Sequence, residues 1–420
     1  MRPSRKNPTG VRNLLEAKFQ DAGQLNGADM SDEYCLAAKV PARHNPLMLS
    51  VWQWLFFLML VFGVQSASAQ TTWSMGYYYP QSIGGLPSLS TIQWSALTHV
   101  GMIAASPNSD GSLTFVGNFA SLATALISAA HANNVKVLFS LSSVGPATHF
   151  NDAVTNDEST FITNIMSQVN TYGFDGVDVD YEEGWNPTVI TTLLSDLRTN
   201  LGSKLLTATA NDSQFNWGNG PIPVCGSTGA GWTSTQAGYL DRLSLMSYDM
   251  GNPGNGDPYT WHNSPLYSVS GQYLWSADYL VKAAKNCGVS ASKLNIGIPF
   301  YGDLYTSNTG PYQMTGGSAT FMQAGYSTIA TSYSIGGATY DSTAHVPWIA
   351  VGGSSYLSWE NPQSINDKVN YVKTNALGGW IIWVLGWDYS PGNSPQDPLL
   401  NAVSEAFRPK PPTGIQIKVN

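Results

Sequence analysis

Charge is scarce in this chain. Only 11% of its 420 residues are Asp, Glu, Lys or Arg, less than half the usual share of a soluble domain. Basic residues are the scarcer sign, 19 against 27 acidic, so a basic nucleic-acid binder is excluded. Cysteine is scarcer still, with three residues. The first strand candidate lacks a G-x-G-x-x-G at its helix junction, which removes the usual dinucleotide site. No G-x-S-x-G elbow supports serine-hydrolase chemistry, and Ser290-Ala291-Ser292-Lys293 reads as the approach to a strand. What the chain does have is 43% hydrophobic residues, 14 Trp and 21 Tyr. That is material for a large core and excludes a disordered chain. Few charges and many aromatics also suit a secreted protein that handles neutral polar ligands such as sugars.

The first seventy residues do not read as fold. LMLSVWQWLFFLMLVFGV over residues 47–64 is followed by Gln65-Ser66-Ala67-Ser68-Ala69, an apolar run closed by small residues of the A-x-A type. This is a secretion signal, and cleavage is expected after Ala69. An uncleaved anchor is the alternative, since the run is just long enough to span a bilayer. Residues 1–46 show no hydrophobic periodicity, and Met48 is a candidate true start. Removing 1–69 leaves 12 basic against 22 acidic residues, a formal net charge of −10, which disfavours nucleic acid and anionic membranes as partners. It also leaves Cys225 and Cys287, which either pair in an oxidising compartment or stay as buried thiols.

Residues 70–408 contain no linker and read as one domain, with a tail at 409–420. Eight apolar or alternating runs begin at residues 73, 97, 135, 176, 205, 243, 294 and 379, and stretches with helical periodicity lie between several of them. A helix opens at Asn361-Pro362 and runs to about 375, with Gly378 just beyond its end. Eight strands alternating with helices predict an α/β fold of the closed (β/α)8 TIM-barrel kind. The segment at about 302–360 is too long for a loop and reads as a small β-rich insertion between strand 7 and the last helix, on the catalytic face.

The most informative stretch is Asp175-Gly176-Val177-Asp178-Val179-Asp180-Tyr181-Glu182. On a strand, Asp178, Asp180 and Glu182 share one face at successive spacings of about 6.6 Å, and Val177, Val179 and Tyr181 share the other. The apolar face packs under helices, so the carboxylates point into the barrel with Glu182 at the end where catalytic groups are presented. Crowded there, some must be protonated or share protons near neutral pH, the arrangement that keeps a general acid charged with its proton. A solvated acidic edge does not explain the strict alternation, and the spacing lacks the glycine of a calcium loop and any nearby His pair, so no metal is expected.

This stretch resembles the D-x-x-D-x-D-x-E signature of family 18 glycoside hydrolases, the chitinases and related β-N-acetylglucosaminidases. Further elements match in order: Gly76-Tyr77-Tyr78, Lys136 to Ser140, Met246-Ser247-Tyr248-Asp249, Gly297-Ile298-Pro299-Phe300-Tyr301-Gly302, and Gly378-Gly379 with Trp383. The resemblance implies retaining, substrate-assisted hydrolysis of β-1,4-linked N-acetylglucosamine, without a cofactor or a protein nucleophile. It implies Glu182 as general acid and base, Asp180 as the group that orients the substrate acetamide, Asp178 as its proton-sharing partner, and Tyr248 as a donor to the acetamide carbonyl. Trp383 is implied as the floor of the reacting sugar. Asp249, Met246, Tyr77, Ser140 and Tyr301 are implied as lesser substrate-site residues. Asp175, of opposite strand parity, is expected to be structural. Trp185, Trp217, Trp261 and Trp387 follow strand ends and either stack on sugars or fill the core.

The sequence departs from the pattern in two places. Ser140-Leu141-Ser142-Ser143 stands where the family usually has S-x-G-G, and Gly302-Asp303 replaces the Gly-Arg of many members. The short insertion suggests an open cleft and endo-type cleavage. The expected partner is chitin or its oligosaccharides, acted on by a secreted monomer with no stable membrane partner. Alternatives are an endo-β-N-acetylglucosaminidase, a cell-wall glycan hydrolase, or a silent chitin-binding lectin.

Overall fold

The computed structural model describes residues 72–80, 87–142, 149–182, 184–211, 214–215, 231–251, 259–269, 275–313 and 321–407. The leader with its cleavage point, the tail, Trp217 and Cys225 lie outside the described residues. Cys287 is disulfide-bonded.

In chain order the strands are β1 (Trp73–Tyr78), β2 (His99–Pro107), β3 (Leu113–Phe115), β4 (Lys136–Ser142), β5 (Gly176–Asp180), β6 (Leu205–Ala210), β7 (Arg242–Leu245) and β8 (Leu294–Pro299). They continue as β9 (Tyr301–Thr306), β10 (Phe321–Gly325), β11 (Thr339–Asp341), β12 (Val346–Val351), β13 (Ser355–Ser358) and β14 (Gly379–Trp383). The eight runs read from the sequence are β1, β2, β4 to β8 and β14. They form a parallel sheet that closes on itself, because β1 pairs with both β2 and β14. β3 is an antiparallel appendage to β2, too short and too exposed to leave a periodic signal.

Helices between strands cover the outer face of the barrel. Helix Phe119–Ala132 buries Phe119, Ala123, Leu126, Ile127 and Ala130, a single stripe at helical spacing. Helix Pro362–Thr374 starts as expected: the Asn361 side chain accepts from Ser364 N, the Ser364 hydroxyl accepts from Asn361 N, and proline occupies the first turn. Its far end differs from the expectation. Asn375 caps it and Ala376 takes the positive φ of 50°. Gly378 is glycine for a different reason, since a Cβ there would stand 2.7 Å from the Ser292 carbonyl oxygen.

The insertion is a five-stranded antiparallel sheet in the order β10-β9-β13-β12-β11, with helix Tyr326–Ser332. It follows β8 directly, so it rises from the end of the barrel where catalytic groups are presented. A buried ion pair ties its last residue to the barrel. Lys368 and Glu360 are both 0% exposed, and the Lys368 ammonium donates to Glu360 and, at 2.7 Å each, to the carbonyl and hydroxyl oxygens of Ser264. Burial pushes the Lys368 pKa down and that of Glu360 up, and each partner's charge opposes the shift. Removing one member strands a charge in the core. Lys368→Met is therefore expected to cost about 3–5 kcal/mol of stability, while Lys368→Met combined with Glu360→Leu should recover most of it. Thermal unfolding of the two variants checks this.

Candidate active site

The site is built on β5. Asp178 and Asp180 alternate inward, at 0% and 4% exposure, while Val177 and Val179 pack outward among the helices. Register puts hydroxyl residues beside each acid: Ser140 and Ser142 of β4 pair with Asp178 and Asp180, and Thr207 of β6 pairs with Asp178. Asp178 accepts from Tyr77 at 3.0 Å, Ser140 at 2.9 Å and Thr207 at 2.5 Å. Asp180 accepts from Ser142 at 2.8 Å and Thr209 at 2.6 Å. A D-x-D strand thus lies between an S-x-S strand and a T-x-T strand, and the hydroxyls form a two-rung ladder inside the barrel.

Burial pushes the Asp178 pKa up, opposed by its three hydroxyl donors. Asp180 is pushed up to about 6 by burial, with Thr209 and Ser142 opposing and the charge of Asp178 adding to the rise. Glu182 follows the strand and is only half-buried, at the mouth. Its approach is fixed from outside the barrel. Gln214 donates to the Tyr181 carbonyl at 2.5 Å, and the Tyr181 hydroxyl accepts from Asn186 N and lies 2.6 Å from the Gly184 carbonyl and 2.7 Å from Asn151 Oδ1.

The segment after β7 brings the next groups. Tyr248 is half-buried, and its phenol is held well above its ordinary pKa by burial first and then by the charges of Asp180, Glu182, Asp249 and Asp178. It therefore keeps its proton among the four carboxylates. Its ring lies over the backbone of β8, where a Cβ on Gly297 would stand 2.6 Å from it, so glycine is what admits the tyrosine. The segment is clamped by Ser247, whose hydroxyl donates to Gly297 O and accepts from Gly297 N. Ser264 donates to Ser247 O, and Asn263 Oδ1 accepts from Asp249 N at 2.8 Å. Asp249 has a φ of 59°, a conformation Asp tolerates better than most residues. Its Oδ1 accepts from Tyr301 at 2.6 Å and Gln323 at 2.9 Å.

Basic groups are kept away from this end. Lys136 and Arg242 are the first residues of β4 and β7, and Lys204 and Lys293 immediately precede β6 and β8. Arg198, Lys285 and Lys373 sit in last helical turns, also at the opposite end of the barrel. Lys282 pairs with Asp278 on a helix surface and Lys368 with Glu360 in the core. Among the described residues no Lys or Arg follows the carboxyl end of a barrel strand, whereas Glu182, Asp249 and Asp303 do.

The sequence-derived candidates fall into two layers. Glu182, Tyr248, Asp249, Met246 and Trp383 are half-buried and border the mouth. Tyr77, Ser140, Asp178 and Tyr301 are buried beneath or behind them, with Tyr77 and Ser140 serving Asp178 and Tyr301 serving Asp249. Trp383 ends β14, with Tyr77 at 5.5 Å and Tyr79 at 5.9 Å between ring centroids. Asp175 lies at the other end of the barrel, where its Oδ2 accepts from Val137 N and bonds His131, both at 2.8 Å. Trp261 is core, 0% exposed. Trp185 packs between Tyr181 and Trp232. Thr207 and Thr209 were not singled out from the sequence, and Ser142 only as a departure from S-x-G-G, although S-x-S and T-x-T share the period of D-x-D and carried the signal.

Comparison with known proteins identifies the family. Glycosyl hydrolases family 18 matches over residues 74–388. A probable endochitinase of Caenorhabditis elegans is 26% identical over 58% of the chain and 43% of its own length, and chitotriosidase-1 of Mus musculus is 28% identical over 57% and 55%. The chain thus spans about half the length of these two relatives. A class V chitinase of Arabidopsis thaliana is 28% identical over 81% of the chain and 91% of its own length. Among solved structures, a chitinase of Rhizomucor miehei has a TM-score of 0.68 at 24% identity, covering 80% of this chain and all 100% of that one. A class V chitinase of Nicotiana tobaccum, crystallised with NAG4, has a TM-score of 0.66 at 23% identity, covering 80% and 99%. At these identities the structural likeness is one of fold. The family match covers well over half of the sequence, and the chain belongs to glycosyl hydrolases family 18.

Proposed function

We propose that the chain is a secreted chitinase that cleaves β-1,4 linkages between N-acetylglucosamine units by substrate assistance. The observation that carries this reading is the vertical order Asp178, Asp180, Glu182, with the protonated Tyr248 phenol beside the upper two. Glu182, at the mouth, gives its proton to the glycosidic oxygen as the bond from that oxygen to the anomeric carbon breaks. The substrate's acetamide oxygen forms the new bond to that carbon. Asp180 accepts from the acetamide N–H and offsets the positive charge that develops, and Tyr248 donates to the acetamide carbonyl. Glu182 then takes a proton from water, whose oxygen displaces the acetamide with retention. Trp383 floors the reacting sugar, and the signal-like segment before Gln70 supports export. The insertion, a single five-stranded sheet, supports an open cleft and endo action, so viscosity of a soluble chitin should fall well before small products accumulate.

With N-acetylglucosamine hexamer, the full chain is expected to release short oligomers. Glu182→Gln should lose at least about 10²-fold in rate while still binding the hexamer. Binding without cleavage by both proteins would instead favour the lectin, and no binding by either would direct attention to other N-acetylglucosamine glycans.

The raised pKa of Asp180 also sets a stability signature. Its folded-state value of about 6 exceeds its ordinary 3.8, so the folded protein holds that proton more tightly than the unfolded chain. Asp180 therefore contributes stability that is present at about pH 4 and is lost as pH rises toward about 6. Denaturant titrations across that range should show a flatter profile for Asp180→Asn.

A further inference from the structure

Outside the ladder, one buried charge has no part yet in the chemistry. Among the described lysines Lys368 alone is fully buried, on helix Pro362–Thr374 in the layer outside the barrel. An ammonium carries three hydrogens and no lone pair. Those of Lys368 go to Glu360 and, at 2.7 Å each, to the carbonyl and hydroxyl oxygens of Ser264. The bond to Glu360 is enough to attach the insertion, so the two bonds to one serine point to a second duty.

That duty follows from the direction of the bonds. Ser264 Oγ can only accept from the ammonium, which commits its own hydrogen elsewhere, and the Ser247 carbonyl receives it. The Ser247 side chain is committed as well: its hydroxyl donates to Gly297 O at 3.0 Å and accepts from Gly297 N at 2.8 Å. Asn263 next door takes Asp249 N on its Oδ1 at 2.8 Å and Met250 N on its carbonyl at 3.0 Å. Residues 263–264 therefore brace the chain on both sides of Tyr248, whose ring rests on Gly297. A hydrogen-bond chain headed by a charge is polarised along its length. Without the ammonium the Ser264 hydroxyl is free to turn to another acceptor, which releases the carbonyl just before Tyr248.

We infer that Lys368 is a positioning residue for the catalytic site: its ammonium aims the Ser264 hydroxyl at the Ser247 carbonyl, and this relay holds the Tyr248 phenol where it meets the substrate acetamide. The inference rests on the chitinase reading above and adds to it a residue of the helical layer. Glu360 supplies the countercharge that keeps the buried amine protonated, since burial pushes the Lys368 pKa down and the charge of Glu360 opposes the shift. The ion pair thus serves the reaction through geometry, separately from its effect on folding.

The test uses the full chain, N-acetylglucosamine hexamer and a double-mutant cycle. Two changes break the relay: Lys368→Met combined with Glu360→Leu, which removes both charges together, and Ser264→Ala, which removes one hydroxyl and leaves the ion pair. Each is expected to lower kcat about tenfold or more and to change KM less than about twofold, the pattern of a misplaced transition-state contact. Made in a Tyr248→Phe background, the same changes should lower kcat less than about twofold further, because the phenol they position is already gone. A merely structural role would instead cost the same factor in both backgrounds. Wild-type kcat in the Lys368→Met, Glu360→Leu variant overturns the inference, and so do equal losses with and without the phenol. If that variant does not fold, Ser264→Ala decides by the same two criteria. Cleavage that survives Tyr248→Phe undiminished removes this inference and leaves the chitinase reading, whereas no cleavage by the wild-type protein removes both.

Discussion

Everything at the catalytic end depends on keeping two carboxyls, Asp178 and Asp180, inside a closed barrel without a cation. A barrel interior is normally filled by branched apolar side chains. Here Met75, Ile103, Leu138 and Ile381 do that over part of the interior, and the β5 side is polar. The hydroxyls of Ser140, Ser142, Thr207 and Thr209 replace the solvation the two acids have lost. They can do so only because strand register sets Ser140 and Thr207 level with Asp178 and Ser142 level with Asp180. A register slip of one residue would turn both acids into the helical layer. The apolar outer faces of β4, β5 and β6 forbid that slip, so the core that stabilises the barrel also aligns the site.

Hydroxyls were a better choice of partner than lysine or arginine. A full ion pair would hold Asp180 low in pKa and unable to exchange a proton near neutral pH. Neutral donors oppose the desolvation cost only in part, leaving the group at about 6. The same logic explains where the basic residues went. Arg198 and Asp241 pair at the opposite end of the barrel, and Arg242 lies over Trp73 there at 4.6 Å. Lys293 donates to the Ala237 and Leu240 carbonyls. These three cations are spent on closing helix and loop ends at that side, away from the acids.

Much of this was legible in the sequence because it obeys a period. D-x-D-x-E announced an inward acidic face, and the eight barrel strands announced themselves by runs of apolar residues. What stayed hidden depends on contacts between distant segments. Ser142 looked like a lapse from a glycine-rich pattern, yet it is the donor to Asp180. Gly378 looked like a helix stop, but the constraint comes from Ser292, far off in the chain. Tyr301 was assigned to the sugar, whereas its hydroxyl is committed to Asp249 from a buried position. Strand β3, three residues on an edge, had no pattern to read.

The insertion follows the same rule as the barrel. Alternation along β9 sends Tyr301, Asp303 and Tyr305 to one side, and that side meets the segment carrying Tyr248 and Asp249. The insertion is therefore a second wall of the site rather than an ornament on it, and Lys368 is what fixes the wall in place. Its ammonium joins Glu360, the residue that leaves the insertion, to Ser264, and Ser264 holds the carbonyl of Ser247 beside Tyr248. A buried charge pair gives little net stability by itself. Its geometry is strict, however, and strict geometry is what the proposed role of the Tyr248 phenol, meeting an acetamide oxygen, would require.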